Sequence, residues 1–546
     1  MAVIALGFSV MLTAAPAGAH DAMPPAAPVA GERLGPVSFP VSCSSSVRAA
    51  FSRGVALLHD FWYVEATTQF QTILAADPSC AMAHWGLAMS RFHQIWDRPD
   101  DAGMAAGWRD MQAARATPAR TARERAYIAA LGDFFQPGAA DYQSRISGYA
   151  TAMGKLYQDN PADVDAGAFY ALALLAAAAP DDSSLAQNRE AMAVLTPLWR
   201  RYPDHPGVLH YIIHACDTPS LAADGLAAAR RYGEIAASGP HAAHMPGHIF
   251  SRLGLWREDI DSQLASIAAS EAAETHHQNG WMDQFHSYDF LSYAYLQNGQ
   301  ADRAKAVAGK SAAAIAHYGA MPDMTPDNYM VGMYPYYRAK LPIFIALETR
   351  DWTAALAIEP EKGAPPDSQT QIHWAKVIAA GHLRLAREAH SELAAYDGLI
   401  EDIKKSPQAY AANSIAAQVR RGEMLAWVAF ADGDIAQSIA RMRETAAFQD
   451  KVGQGEVDIP SREMLADILL DSGRPAEALA EYKESMKLSS NRFNGVFNAG
   501  KAAEAVGDKA DARRFFEAVL ETTGNGSAPD QPEIGYARAF LASAHN

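Results

Sequence analysis

Small and aromatic residues recur every 34 residues at both ends of this chain, and a recurrence of that length admits few architectures. Near the start, FSRGVALLHDFWYVEATTQFQTILAADP holds Gly54, Ala66, Phe70 and Pro78 in one unit, and Ala88 stands 34 residues after Gly54. Near the end, Ala466, Ala478 and Tyr482 are followed at the same interval by Gly500, Ala512 and Phe516. Between them, segments such as RLGLWREDI, LQNGQADRA, ETRDWTAAL and FADGDIAQS punctuate looser helical hairpins. Strand-like runs bounded by hairpin turns are absent from the sequence. The expected fold is all-α, an α-solenoid of about ten to twelve helix pairs, each burying its apolar face against its neighbours.

Length and charge narrow the choice further. At 546 residues the chain is too long for one compact domain unless it is a repeat array. A formal net charge of -16 and the lack of any Lys/Arg run argue against nucleic acid, because phosphate binding needs a concentrated basic surface. Residues 1–19 read as a secretory signal, an apolar run closed by Ala17-Gly18-Ala19, although the positive segment that usually precedes such a run is missing. No other stretch is apolar enough to span a membrane. The expected location is therefore periplasmic or secreted. Of three cysteines, Cys43 and Cys80 flank the first predicted repeat, so they either form a disulfide in an oxidising compartment or stay as two buried thiols.

With those residues in view, the chain resembles the tetratricopeptide repeat (TPR) family. More narrowly, it resembles exported bacterial TPR proteins carrying an H-x-x-H-M-P-x-H-I-F-x-R-L-G segment, here His241 to Gly254. The resemblance implies a right-handed superhelix whose concave groove takes a peptide, protein or small molecule. It assigns Gly54, Ala66 and Phe70 to the contact between paired helices. It implies no reaction, since the repeat is a scaffold. The boundaries read as a signal peptide (1–19), an extended leader (20–46), N-terminal TPR-like repeats (47–180), central repeats with a histidine cluster (181–320), degenerate helical repeats (321–460) and a C-terminal TPR pair (461–546).

The chemistry concentrates between His210 and Asp289. LHYIIHACD carries His210, His214 and Asp217; PHAAHMPGHIF carries His241, His244 and His248; FHSYD carries His286 and Asp289. His210 to His244 and His214 to His248 are each 34 residues apart, so stacked repeats would set these rings side by side. An i, i+4 histidine pair on a helix supplies two converging nitrogens, and neutral imidazole is the commonest protein ligand for zinc, copper and iron. His241, His244 and His248 fall within roughly 60° of one another on a continuous helix. If the helix instead begins at Pro246, His241 lies in a loop and the three do not share a face. Asp217, Asp289 or Glu271 are placed to orient an imidazole, and His59 and His93, again 34 apart, extend the lining.

The expected site is therefore a transition metal ion (Zn, Cu or Fe) held by His210, His214, His241, His244, His248, His286 and Asp289. A metal-dependent hydrolase or oxidase follows if one coordination position stays open. The rivals are a hydrogen-bonding wall for an anionic or aromatic ligand, a structural polar core, and a scaffold gripping a peptide or partner protein without catalysis. His276, His277 and Trp281 are candidates for a lid. Residues 324–340, rich in Met and aromatics, wall a pocket or form a packed helix. Cys216 is a soft ligand or a buried thiol.

Overall fold

A computed structural model describes residues 31–95, 98–138, 140–179, 183–276, 278, 280–321, 329–406, 409–455, 457–524 and 531–543. The signal segment, the first part of the leader, His277 and the start of the 324–340 stretch lie outside them. The described residues are α-helices joined by short turns, with two short 3-10 segments and no strand. Helices pack chiefly against their neighbours in sequence, as an array of helical hairpins requires. No described helix is long and apolar enough to cross a membrane. The chain divides into two compact units, residues 1–249 with 262–284, and residues 250–261 with 285–546.

In the first unit, Gly54 and Phe70, marked by the 34-residue recurrence, meet. Phe70, on the Tyr63–Ala76 helix, fills the space left by Gly54 and Gly86; a Cβ would meet its ring at 2.8 Å and 2.4 Å, respectively. The later part of the leader is strapped down by its apolar side chains. Phe39 packs within 5.6 Å of the rings of Phe51, Trp85 and Tyr127, and Arg33 and Ser238 exchange hydrogen bonds. Cys43 and Cys80 are joined by a disulfide.

The Pro206–Cys216 helix is apolar apart from the face that carries His210 and His214, and all of its residues are buried. It packs on the adjacent Ala186–Arg201 and Ala222–Ile235 helices and also returns to touch Arg48–His59 and Val164–Ala177. That return carries His210 to the end of the first helix, 151 residues earlier.

The second unit is held by enclosed polar clusters as well as by packing. The Arg492 guanidinium bridges Glu348 and Glu463, each at 2.8 Å, and donates to the Tyr293 hydroxyl and, at 3.0 Å, to the Asp458 carbonyl. Phe516 fits against Gly500, where a Cβ would meet its ring at 2.7 Å. The described part of the 324–340 stretch belongs to the Tyr329–Glu348 helix.

A buried histidine row as a candidate metal centre

Five of the seven predicted ligands lie in the first unit, and they form a row. Ring centroids are 4.6 Å apart from His214 to His210, 5.1 Å from His210 to His241, 6.2 Å from His241 to His244 and 4.8 Å from His244 to His248. One ligand nitrogen each from His210, His214 and His241 lies within 4.8 Å of the others. The five side chains are between 0 and 6 % exposed, so they sit in an enclosed polar seam, not along the open groove the repeat positions predict.

Local sequence explains how the rings are aimed. Pro206 occupies the first turn of its helix, and the ring of His205 caps it by accepting from the Val208 N–H, which sets His210 and His214 one turn apart on one face. At the second segment, both readings of the sequence hold in part. A short helix, Pro240–His244, carries His241 and His244, and a second, Pro246–Leu253, carries His248. Met245 between them keeps helical angles (φ -55°, ψ -35°), so Pro246 breaks the ladder without turning the chain away.

Hydrogen-bond partners orient the rings. His210 Nδ1 lies 2.6 Å from the backbone carbonyl of His59, which can only accept, so Nδ1 carries the proton and Nε2 carries a lone pair. His214 Nε2 faces that lone pair at 3.0 Å. His244 Nδ1 donates to the Gln263 amide oxygen at 2.6 Å, and His248 Nδ1 donates to Asp217 at 3.0 Å. The two ε-nitrogens of this pair face each other at 2.9 Å. At that distance one ring donates a proton to the other, or both turn their lone pairs on an ion. Holding the outer nitrogen with a carbonyl or carboxylate is also how proteins orient metal-bound imidazoles.

The electrostatics favour neutral rings. Burial, with the neighbouring imidazoles adding to it, holds His210 and His241 well below the usual histidine pKa. Asp283, 3.5 Å from His241 Nδ1, is pushed up to about 7 by burial. Asp60 is raised well above the usual carboxyl value by burial, although it accepts a hydrogen bond from Tyr232, whose ring stacks on His210.

Asp289 is ion-paired with Lys340 in the second unit, and His286 packs edge-on to Phe290. Glu271 is exposed, whereas Asp217 does orient an imidazole. The ring of His59 bridges Asp165 and Tyr211, at 3.0 and 2.9 Å, and His93 stacks on Tyr63 at 4.4 Å. Cys216 is a buried thiol 3.5 Å from the Met192 sulfur.

Three contributors carried no signal in the sequence reading: the carbonyl of His59, the amide of Gln263 and the ring of Phe61. Phe61 lies 4.4 Å from the His210 ring and 5.4 Å from those of both His214 and His241, stacked on the last two.

These features define an all-α helical-repeat protein with an enclosed row of histidines. No family model matches the chain, and no curated protein is similar to it. Among solved structures, it is similar to the TPR domain of P58(IPK), at 11 % identity over 92 % of this chain and 100 % of that one, with a TM-score of 0.20. It is also similar to yeast Tom70, at 10 % identity over 91 % and 96 % of the two chains, with a TM-score of 0.29.

Proposed function

We propose that this protein is an exported helical-repeat protein that holds a transition metal ion in the histidine row of its first unit. His210, His214 and His241 form the principal centre, with His244 and His248 beside it. The observation that carries this reading is the convergence of the rings: one ligand nitrogen each from His210, His214 and His241 lies within 4.8 Å of the others, while Nδ1 of His210, His244 and His248 is held by a carbonyl, an amide and a carboxylate. Enclosure of the rings favours holding or delivering an ion over turning a substrate on it, which needs an open coordination position. Export is supported by the apolar first 19 residues and by the disulfide between Cys43 and Cys80, a bond that persists in oxidising compartments.

Metal analysis of untagged protein, before and after incubation with each ion and desalting, tests the reading. Retention of about one equivalent or more is expected in the wild type. Roughly 10–100-fold weaker binding is expected in His210→Ala and in His244→Ala/His248→Ala, with no change in His390→Ala, which removes a half-exposed ring of the second unit. Less than about one tenth of an equivalent of any transition metal, unaltered by the row variants, would leave the rival scaffold that grips a partner without an ion.

A further inference from the structure

The loop that follows the first helix holds an unusual residue at an ordinary place. The Arg48–His59 helix ends in a paired hydrogen-bond motif, with Trp62 N–H donating to the Leu57 carbonyl at 2.9 Å and Phe61 N–H to the Leu58 carbonyl at 3.2 Å. The residue just past such an end adopts the left-handed conformation, and Phe61 has φ +57°. Glycine is the usual occupant, since a side chain there costs about 1–2 kcal/mol. Here the position carries a phenyl ring laid against three imidazoles, and it is 4 % exposed. The strain is sustained by those ring contacts and by Tyr63, stacked on Phe61 at 5.3 Å.

We propose that the centre built by His210, His214 and His241 selects copper(I) over divalent ions, with Phe61 as the seal that enforces the choice. The inference rests on the metal-binding reading above and adds to it the identity of the ion. The centre offers three imidazole nitrogens. The carboxylates of Asp217 and Asp283 lie against Nδ1 of His248 and His241. Copper(I) is a closed-shell monocation satisfied by three imidazoles. Zinc almost always takes four ligands, and at a three-histidine site the fourth is water. Phe61 lays an apolar ring over all three imidazoles and offers an incoming water no hydrogen-bond partner. Charge acts in the same direction: the cost of desolvating an ion scales with the square of its charge, so an enclosed dication is penalised about fourfold more than a monocation of equal size.

The test is a competition titration of the untagged full-length protein under anaerobic conditions. Copper(I), kept reduced by ascorbate, is measured against bicinchoninate, and zinc(II) and copper(II) against a chelating dye. Copper(I) is expected to bind at least about 1,000-fold more tightly than zinc(II), with an X-ray absorption shell of three nitrogens. Phe61→Gly, which trades the lost ring packing against relief of the backbone strain and is checked for native helicity by circular dichroism, is expected to narrow that ratio tenfold or more and admit an oxygen to the shell. Equal or tighter zinc(II) binding, or an unchanged ratio in Phe61→Gly, would overturn the selectivity and the seal while leaving a metal site. Failure of every ion to bind would overturn the metal reading itself.

Discussion

Enclosure of a single ionisable group has a measurable consequence at Glu423, in the second unit. Its carboxyl is 2 % exposed, accepts from the Trp374 indole N–H at 2.7 Å and lies 2.5 Å from the Ser461 hydroxyl. Burial, reinforced by the charge of Asp458, pushes its pKa up to about 8, against an ordinary value of 4.5. Between those values the unfolded chain releases a proton that the native protein keeps, so stability falls as pH rises through that window. Above about 8 both states are ionised and the loss stops growing. Glu423→Gln keeps an oxygen for Trp374 and an N–H for Ser461. The variant is expected to gain on the wild type from pH 5 to 8, by on the order of a few kcal/mol, and then to run parallel to it. Denaturant melts at several pH values decide the matter: a gap independent of pH would show that ionisation of this carboxyl is not the cause. The same scale shows what a sequence reveals about a site. The imidazoles were legible because a 34-residue offset repeats them. The groups that aim and cover them were not: a backbone carbonyl has no sequence signature, and a phenylalanine in a left-handed turn contradicts the residue preference one would search with.

Between helices, identical substitutions should have opposite signs depending on what faces the glycine. Glycine in a helix interior costs about 1 kcal/mol relative to alanine, so replacing it helps wherever a methyl group fits. At Gly148 and Gly309 nothing lies within 4 Å of the added Cβ, and Gly148→Ala and Gly309→Ala are expected to stabilise by about 0.5–1 kcal/mol. At Gly86 and Gly500 the Cβ would stand 2.4 and 2.7 Å from the rings of Phe70 and Phe516. Overpacking of that kind costs about 1–3 kcal/mol, so Gly86→Ala and Gly500→Ala are expected to destabilise. Urea denaturation of the four variants measures the contrast, and a shared sign would mean that the rings move aside freely. The helix pairing itself was largely visible in the sequence, since Gly54, Phe70, Gly500 and Phe516 all mark real contacts. The recurrence pointed to Ala88 as the next small residue, and Ala88 is indeed buried, yet Gly86 also faces Phe70. Burial of the row was not visible. Repeat positions predict an open groove, but the Pro206–Cys216 helix folds back on the first helix, a long-range contact that a nearest-neighbour pattern does not encode.

For the molecule as a whole, the five imidazoles of the row, with Gln263, Asp217, His59 and Phe61 around them, belong to one compact unit, whereas the Arg492 cluster belongs to the other. A ligand that binds only the native state stabilises what it binds by RT ln(1 + [L]/Kd), about 2.7 kcal/mol at a free concentration of 100 Kd. That increment belongs to the cooperative region that builds the site, because amides elsewhere exchange through openings that leave the ion in place. Hydrogen exchange with and without the ion should therefore be asymmetric along the chain. Peptides covering residues 57–63, 206–217 and 240–249 are expected to slow by up to about 100-fold, the rate equivalent of that energy, while peptides from 461–524 keep their rates. The asymmetry separates a built site from adventitious capture by surface histidines such as His390, which would leave the buried segments unchanged. If 461–524 slowed as much as 206–217, stabilisation would not be local to the row. The assignment of the ion to the first unit would then be wrong, even if the protein bound it tightly.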